Sequence, residues 1–162
     1  MKKILSIVLF LGLVFVSQGT AQTQNAPAAT RKAVAFERYD QSYFIQNDAG
    51  LNDDGSFLVL TSQNDFDLVF GTAGTMRNSK FLPKNFFDTH MVLVTNKKGN
   101  FLREYEVKQV VEANGKLYLV YTTVDGQPGR YSNSAYMSVA VPKGNYKEIV
   151  FIENGKQIAV VP

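Results

Sequence analysis

Short runs of apolar residues, separated by polar residues that favour turns, recur along the chain from residue 33 onward. Runs of this length that are rich in Val, Ile, Phe and Tyr predict β-strands. The predicted strands cover residues 33–39, 42–46, 56–60, 91–95, 101–111, 116–123, 135–141, 148–153 and 156–161. Strand signals therefore dominate the chain, and helix is the exception.

The strongest helix signal covers residues 62–70. Three apolar side chains fall on one face of this segment: Phe66, Val69 and Phe70. Ser62 is a favourable N-cap, and Asp65 lies where an acid stabilises the first turn. Gly71 predicts the end of the helix. A single further turn of helix is predicted at residues 83–87, where proline opens the segment.

Two Asn-Gly pairs, Asn114-Gly115 and Asn154-Gly155, predict tight hairpins, because this dipeptide tolerates the positive φ angles of the turn. The first turn predicts the pairs Val110–Leu119 and Val111–Tyr118. The second predicts the pairs Glu153–Lys156, Phe151–Ile158 and Ile149–Val160. Residues 96–99 are predicted as another turn, and residues 71–82 and 124–134 as loops, from their Gly, Asn, Ser and Pro content.

These elements predict a single α+β domain in which one main helix packs on a twisted antiparallel sheet. A β-sandwich with a small helical insert is the alternative. Under either arrangement the apolar faces define the same predicted core: Phe66, Val69, Phe70, Leu119, Val139, Ile149, Phe151 and Ile158.

Residues 1–21 have the layout of a cleavable secretory signal. Lys2 and Lys3 precede a predominantly apolar run over residues 4–16, and small residues end the segment at Ala21. A retained membrane anchor is the alternative, but the run is shorter than the roughly 20 residues that a span needs. We expect an exported protein, periplasmic or secreted, without a stable membrane anchor.

Loss of this segment changes the charge of the chain. The full chain has 17 basic and 14 acidic residues, and without Lys2 and Lys3 it has 15 against 14, a net charge of +1. Residues 22–31 lack large apolar side chains and predict a disordered tether, so the globular domain covers residues 32–162. The near-neutral balance and the absence of a basic stripe argue against nucleic-acid binding.

Candidate catalytic and metal-binding residues are few. The chain has no cysteine and one histidine, His90, which excludes disulfides and leaves a zinc site without its usual ligands. On a strand, the side chains of His90 and Asp88 would point to the same face. This arrangement suits a general base and the acid that orients it. The alternative is a surface or capping histidine. We expect no cofactor.

Residues 47–55 concentrate Asn, Asp and Gly. Two interpretations stay open for them, an irregular calcium loop and a plain Asx-rich turn. The EF-hand pattern fails because Gly50 and Thr61 stand where it needs ligands.

Tyrosine and arginine near the predicted loop over residues 124–134 suggest a contact surface, because both residue types are enriched at interfaces. The candidate binding residues are Arg130, Tyr131 and Tyr136. The alternative is that the tyrosines are ordinary half-buried strand residues.

A family resemblance rests on residues 61–71, on the Pro83 and Phe86-Phe87 segment with the strand after it, and on the Asn-Gly hairpin with residues 137–142. These features resemble small exported proteins of Bacteroidetes-type bacteria. They are also similar in layout to the C-terminal domain of PrcB-like protease-complex subunits. The resemblance covers about residues 43–152 and implies a non-catalytic partner of an exported protease, with no particular functional residue.

Together these observations predict an exported, non-catalytic binding protein, with another exported protein as its partner and a partner or inhibitor role toward an extracytoplasmic protease. The alternative from a different functional class is a small hydrolase or ligand-binding enzyme that uses His90. The position of His90 relative to acids and hydroxyl groups distinguishes the two.

Overall fold

Strand pairing organises the computed structural model, which describes residues 31–46, 51–52, 54–72 and 80–162. Strands account for 65% of the described residues and helices for 9%, so the predicted sheet-rich character is confirmed. In chain order the elements are β1 (Lys32–Ala33), β2 (Glu37–Arg38), β3 (Tyr43–Ile45), β4 (Ser56–Leu60), α1 (Gln63–Val69), β5 (Phe70–Thr72), α2 (Phe86–Thr89), β6 (His90–Ala113), β7 (Lys116–Pro142), β8 (Glu148–Glu153) and β9 (Lys156–Val161).

Several predicted segments lie outside the described residues. They are the signal peptide (residues 1–21), residues 22–30 of the tether, residues 47–50 and 53 of the Asn- and Asp-rich segment, and residues 73–79 of the loop after β5.

β6 and β7 form one long antiparallel hairpin around Asn114 and Gly115. Both turn residues have positive φ angles, 54° and 71°, as a two-residue turn that matches strand twist requires. The predicted pairs are confirmed: Val110 lies opposite Leu119, and Val111 opposite Tyr118. The local turn chemistry therefore sets the register of this part of the sheet.

The hairpin continues through residues 96–99 and 124–134, which the sequence predicted as a turn and a loop. Both predictions were wrong: these residues belong to β6 and β7, with Lys97 opposite Ala135. Their Gly, Pro and Asn residues accompany interruptions of the ladder, where the strands bulge without reversing. The register shifts between Gly99 and Phe101, between Phe101 and Arg103, and between Val107 and Gln109.

The long hairpin folds back on itself. The Lys143 N–H donates to the carbonyl of Thr89, and the Lys147 N–H donates to the carbonyl of Gly115, both at 2.8 Å. Residues 143–147 therefore link the open end of the hairpin to its turn. Side chains from both halves share one core: Met91, Leu93, Tyr105, Val110, Leu117, Leu119, Tyr121, Met137, Val139, Val141, Ile149 and Phe151. The strands that carry these side chains belong to one seven-stranded sheet.

One strand pairing corrects the prediction of a purely antiparallel sheet. β8 pairs in parallel with residues 116–121 of β7, whereas β4 pairs antiparallel with residues 92–96 of β6. Parallel neighbours need a long connection. Here the second half of β7 makes the long connection. It carries the chain back to the end at which β7 began, so β8 can start there and run in the same direction.

The C-terminal hairpin departs from its predicted register. Glu153 lies opposite Lys156 as predicted, but a bulge then places Ala159 opposite Phe151. The predicted pairs Phe151–Ile158 and Ile149–Val160 are therefore wrong. Ile158 is 37% exposed, which also removes it from the predicted core. A one-residue shift turns alternate side chains to the other face of a strand.

α1 begins as predicted, because the Ser62 hydroxyl oxygen accepts a hydrogen bond from the Asp65 N–H at 3.1 Å. It ends at Phe70, whose backbone is extended, and the predicted glycine stop is wrong because Gly71 continues into β5. A Cβ on Gly71 would lie 2.6 Å from the Phe44 ring, so a larger residue there would displace the exposed Phe44 side chain. The remaining predicted core residues are buried: Phe66, Val69, Phe70, Leu119, Val139, Ile149 and Phe151.

Candidate functional site

The most exposed large apolar side chains of the described residues lie where the long hairpin bulges. Tyr131 is 84% exposed, Leu102 73% and Val124 66%. We call this region, residues 99–103 of β6 with residues 124–133 of β7, the ribbon bend. Exposed apolar side chains that lie close together mark interaction sites more often than isolated ones do.

Backbone geometry explains why the ribbon bend carries its side chains outward. Phe101 lies opposite Pro128 and Gly99 opposite Asn133, so residues 129–132 of β7 face one residue, Asn100. A Cβ on Gly129 would lie 3.3 Å from the carbonyl oxygen of Asn100. The four residues 129–132 therefore form a bulge opposite Asn100, and this bulge includes Arg130 and Tyr131, both exposed. The sequence-predicted pair is brought together here.

The inner face of the ribbon bend is fixed by Arg103, whose side chain is only 6% exposed. Its guanidinium donates two hydrogen bonds to the Asp125 carboxylate, at 2.6 and 2.8 Å. It lies 3.7 Å from the Glu153 carboxylate and 5.5 Å from the centre of the Phe101 ring. Paired bonds of this kind are strong and directional, and they lower the pKa of Asp125 below its ordinary value.

Glu153 connects this inner face to the C-terminal hairpin. Its carboxylate accepts hydrogen bonds from the hydroxyl groups of Tyr121 and Thr123, each at 3.1 Å. Asn154 in turn donates to the Thr123 hydroxyl oxygen at 3.0 Å. Burial raises the pKa of Tyr121, which keeps its proton available as a donor. The side chains on the inner face of the ribbon bend are therefore held in a hydrogen-bonded network, whereas Leu102, Val124 and Tyr131 of the ribbon bend are exposed.

Sequence reasoning did not identify Arg103 as a candidate functional residue. The pairing predicted from Asn114-Gly115 would place Arg103 opposite Gly126. The bulge between Val107 and Gln109 instead places it opposite Asp125. The ion pair could be found only after that shift was known.

Tyr136, the third predicted binding residue, lies further along β7, opposite Asn96. Its hydroxyl group is hydrogen-bonded to the backbone carbonyls of Asp40, at 2.7 Å, and Tyr43. Its ring lies 5.4 Å from that of Phe70, and burial raises its pKa. The structure therefore places Tyr136 apart from Arg130 and Tyr131, where it ties β7 to the chain before β3.

His90 lies where α2 ends and β6 begins. Its Nδ1 is 2.8 Å from the Thr89 hydroxyl oxygen, and its ring stacks on Phe86 with 4.8 Å between ring centres. The predicted strand alignment with Asp88 is wrong, because Asp88 belongs to α2. His90 lines an open cleft of about 300 Å³ with Ala35, Phe36, Glu37, Phe86, Ala140 and Pro142.

Glu37 supplies the carboxylate of this cleft. It accepts a hydrogen bond from the Tyr39 hydroxyl at 2.8 Å and a second from the Lys80 ammonium group. Lys80, then Tyr39, lowers the pKa of Glu37 below its ordinary value. Burial and the nearby carboxylate raise the pKa of Tyr39 to about 12. Sequence reasoning did not find this group, because its members come from distant segments.

Metal and membrane sites were also sought among the described residues. No three or more His, Asp or Glu side chains of that part of the chain converge as metal ligands, and residues 47–50 and 53 of the candidate calcium loop lie outside it. None of the helices in the described ranges is long and apolar enough to cross a membrane.

Comparison of the chain with protein-family models, with curated proteins and with solved structures gave no match.

Proposed function

We propose that this chain is an exported, non-catalytic binding protein, and that the outer face of the ribbon bend is its contact surface for another exported protein. The observation that carries the proposal is that the three most exposed large apolar side chains of the described residues, Leu102, Val124 and Tyr131, all belong to the ribbon bend.

The composition of this surface supports protein recognition. Tyrosine and arginine contribute disproportionately to binding energy at interfaces, and Arg130 and Tyr131 are neighbouring residues of the bulge opposite Asn100. Leu102 and Val124 add apolar area beside them. A partner that covers these side chains would remove apolar surface from water, which is the main driving force of association.

The bracing below the ribbon bend also favours binding. Arg103 holds Asp125 and approaches Glu153, so the strand that carries the exposed residues is restrained before any partner arrives. A preorganised surface loses less conformational entropy on association than a loose loop does.

Export and the partner class rest on the sequence. The layout of residues 1–21 supports a secreted or periplasmic location. The similarity in layout to PrcB-like subunits supports an extracytoplasmic protease as the partner. The enzyme alternative keeps His90 in a cleft that Glu37 also lines, with the Thr89 hydroxyl oxygen 2.8 Å from its Nδ1. It loses the predicted orienting acid, however, because Asp88 does not share a strand face with His90.

Photo-crosslinking in the native cells tests the proposal. A photoreactive amino acid at position 131, and in a second strain at position 102, should crosslink to the same exported protein. Position 68 serves as the matched control, because Leu68 is also an exposed apolar residue, 58% accessible, on α1. Equal crosslinking of one protein from all three positions, or no adduct from positions 131 and 102, would refute the proposed surface.

A further inference from the structure

We propose that the cleft beside His90 is a binding site for an alkyl ammonium or guanidinium group, with Glu37 as the anionic ligand and the surrounding aromatic rings as its walls. We call it the Glu37 cleft; it is lined by Phe36, Glu37, Phe86 and His90, and the buried Tyr39 supports Glu37 from behind. The inference does not depend on the proposed function, because His90 and the ribbon bend are more than eight residues apart along β6.

The carboxylate is oriented before any ligand binds. The Tyr39 hydroxyl donates to Oε2 of Glu37 at 2.8 Å, which leaves Oε1 for a cation. The Glu37 side chain is 47% exposed, so Oε1 is reachable from solvent. A fixed carboxylate is a strong acceptor for charged donors.

Aromatic rings continue from this carboxylate into the cleft. The rings of Tyr39 and Phe86 lie 5.9 Å apart at their centres, and Phe86 stacks on His90 at 4.8 Å. Phe36 is 40% exposed and lines the same cleft. A cation near aromatic faces is stabilised by their quadrupoles, and an apolar stem packs on the rings.

The chain itself already places a cation at this point. Lys80 pairs with Oε1 of Glu37, and its ammonium nitrogen lies 5.8 Å from the centre of the Tyr39 ring. Lys80 thus demonstrates the chemistry that the site accepts. Its side chain is 61% exposed, and exposed ion pairs are weak enough for a second cation to displace them.

Two sources could supply this chemistry, a small free amine or a basic side chain of a peptide. The cleft volume of about 300 Å³ lies at the lower end of the range for small-molecule sites and accommodates either. The shared feature is one cationic nitrogen on an apolar stem.

NMR titration tests the proposal, because His90 is the only histidine and its ring gives one uncrowded signal. n-Butylammonium should shift this signal saturably in the millimolar range, whereas n-butanol, which has a similar stem without the charge, should not. A lysine tripeptide capped at both ends, and its norleucine counterpart, identify the source. Tighter binding of the lysine peptide than of butylammonium identifies the ligand as a basic side chain of a peptide. Weaker binding of the lysine peptide identifies it as a small free amine.

Two variants act in opposite directions. Lys80→Met removes the internal competitor but keeps its stem, and should tighten butylammonium binding about threefold or more. Glu37→Gln should weaken binding about tenfold or abolish it. Lys84→Ala, which removes an exposed lysine outside the cleft, should change nothing. If Glu37→Gln fails to fold, the Lys80→Met result decides. An equal response to butanol, or unchanged affinity in Lys80→Met, would overturn the proposal.

Discussion

Lys147 donates its backbone N–H to the carbonyl of Gly115 at 2.8 Å, so a residue beyond the open end of the long hairpin contacts the turn of that hairpin. Gly115 has a φ angle of 71°, and the nearest Lys147 side-chain atom lies 3.8 Å from the position of an added Cβ. The turn therefore has space for a side chain at position 115, but the backbone conformation there is one that residues with a side chain disfavour.

Gly115→Ala should accordingly destabilise the fold by about 1–2 kcal/mol, the cost of a left-handed conformation for an L-residue. Gly155→Ala is the matched control, because Gly155 has a similar φ angle of 79° in the second Asn-Gly turn. The free energy of unfolding from denaturant titration should fall equally in both variants. A much larger loss in Gly115→Ala would mean that the alanine also breaks the Lys147 contact.

Phe151→Ala should cost about 3–5 kcal/mol, because Phe151 is fully buried and its removal leaves a cavity in the core. Ile158→Ala should cost less than about 1 kcal/mol, because Ile158 is partly exposed beside the bulge. Denaturant titration of the two variants checks the register of β8 and β9. Comparable losses at both positions would favour the register predicted from the sequence over the observed one.

Asp125 should make stability depend on acid pH. Its pKa in the folded state is lowered from 3.8 by the hydrogen bonds from Arg103, so its contribution is present above that ordinary value and is lost as pH falls through the lower folded pKa. Asp125→Asn should flatten the acid limb of the stability curve, measured by denaturant titration at several pH values. Glu37, whose pKa is also lowered, contributes to the same acid limb.

Glu104→Gln is the control for this experiment, since Glu104 is exposed one residue from Arg103 but on the opposite face of the strand. It should change the acid limb less than Asp125→Asn does. An unchanged acid limb in Asp125→Asn would contradict the bracing role assigned to the Arg103 pair.

Tyr136→Phe should destabilise the fold by about 1–2 kcal/mol, because the backbone carbonyls of Asp40 and Tyr43 lose a hydroxyl donor in a half-buried place. Tyr131→Phe should leave stability unchanged, because Tyr131 is 84% exposed. Thermal and denaturant unfolding of both variants distinguishes the structural role of Tyr136 from the absence of such a role for Tyr131. Equal stability of the two would return Tyr136 to the list of candidate contact residues.

Arg130→Ala combined with Tyr131→Ala should leave the free energy of unfolding within about 0.5 kcal/mol of wild type, as is usual for surface substitutions. The same double variant should reduce the crosslinking of the proposed partner from position 102. Unfolding of the domain would mean that these side chains support the bulge, and full retention of crosslinking would remove them from the contact surface.

Elements fixed by neighbouring residues were predictable from the sequence. Ser62 and Asp65 set the start of α1, and Asn114-Gly115 set the register as far as Val110 and Leu119. In each case the decisive groups lie within a few residues of one another, where capping and turn chemistry act.

Long-range features were not predictable in the same way. The Pro128 and Gly129 pair is typical of a loop, yet it lies in a bulged strand, because the pairing of β6 with β7 outweighs local turn preference. The Arg103–Asp125 ion pair and the Glu37 cleft both required knowledge of the bulges and of the folded-back hairpin. A site whose residues come from distant parts of the chain has no local sequence pattern from which it could be predicted.

The folded-back hairpin also has a consequence for the kinetics of folding. Pairing that spreads outward from Asn114 and Gly115 ends at His90 and Pro142, and β8 then adds in parallel to a strand that begins far earlier in the chain. Contacts of such wide sequence separation close slowly, in milliseconds to seconds for β-rich domains. The sheet is therefore completed only after the last strands of the chain have been made, so β8 and β9 control when the fold becomes complete.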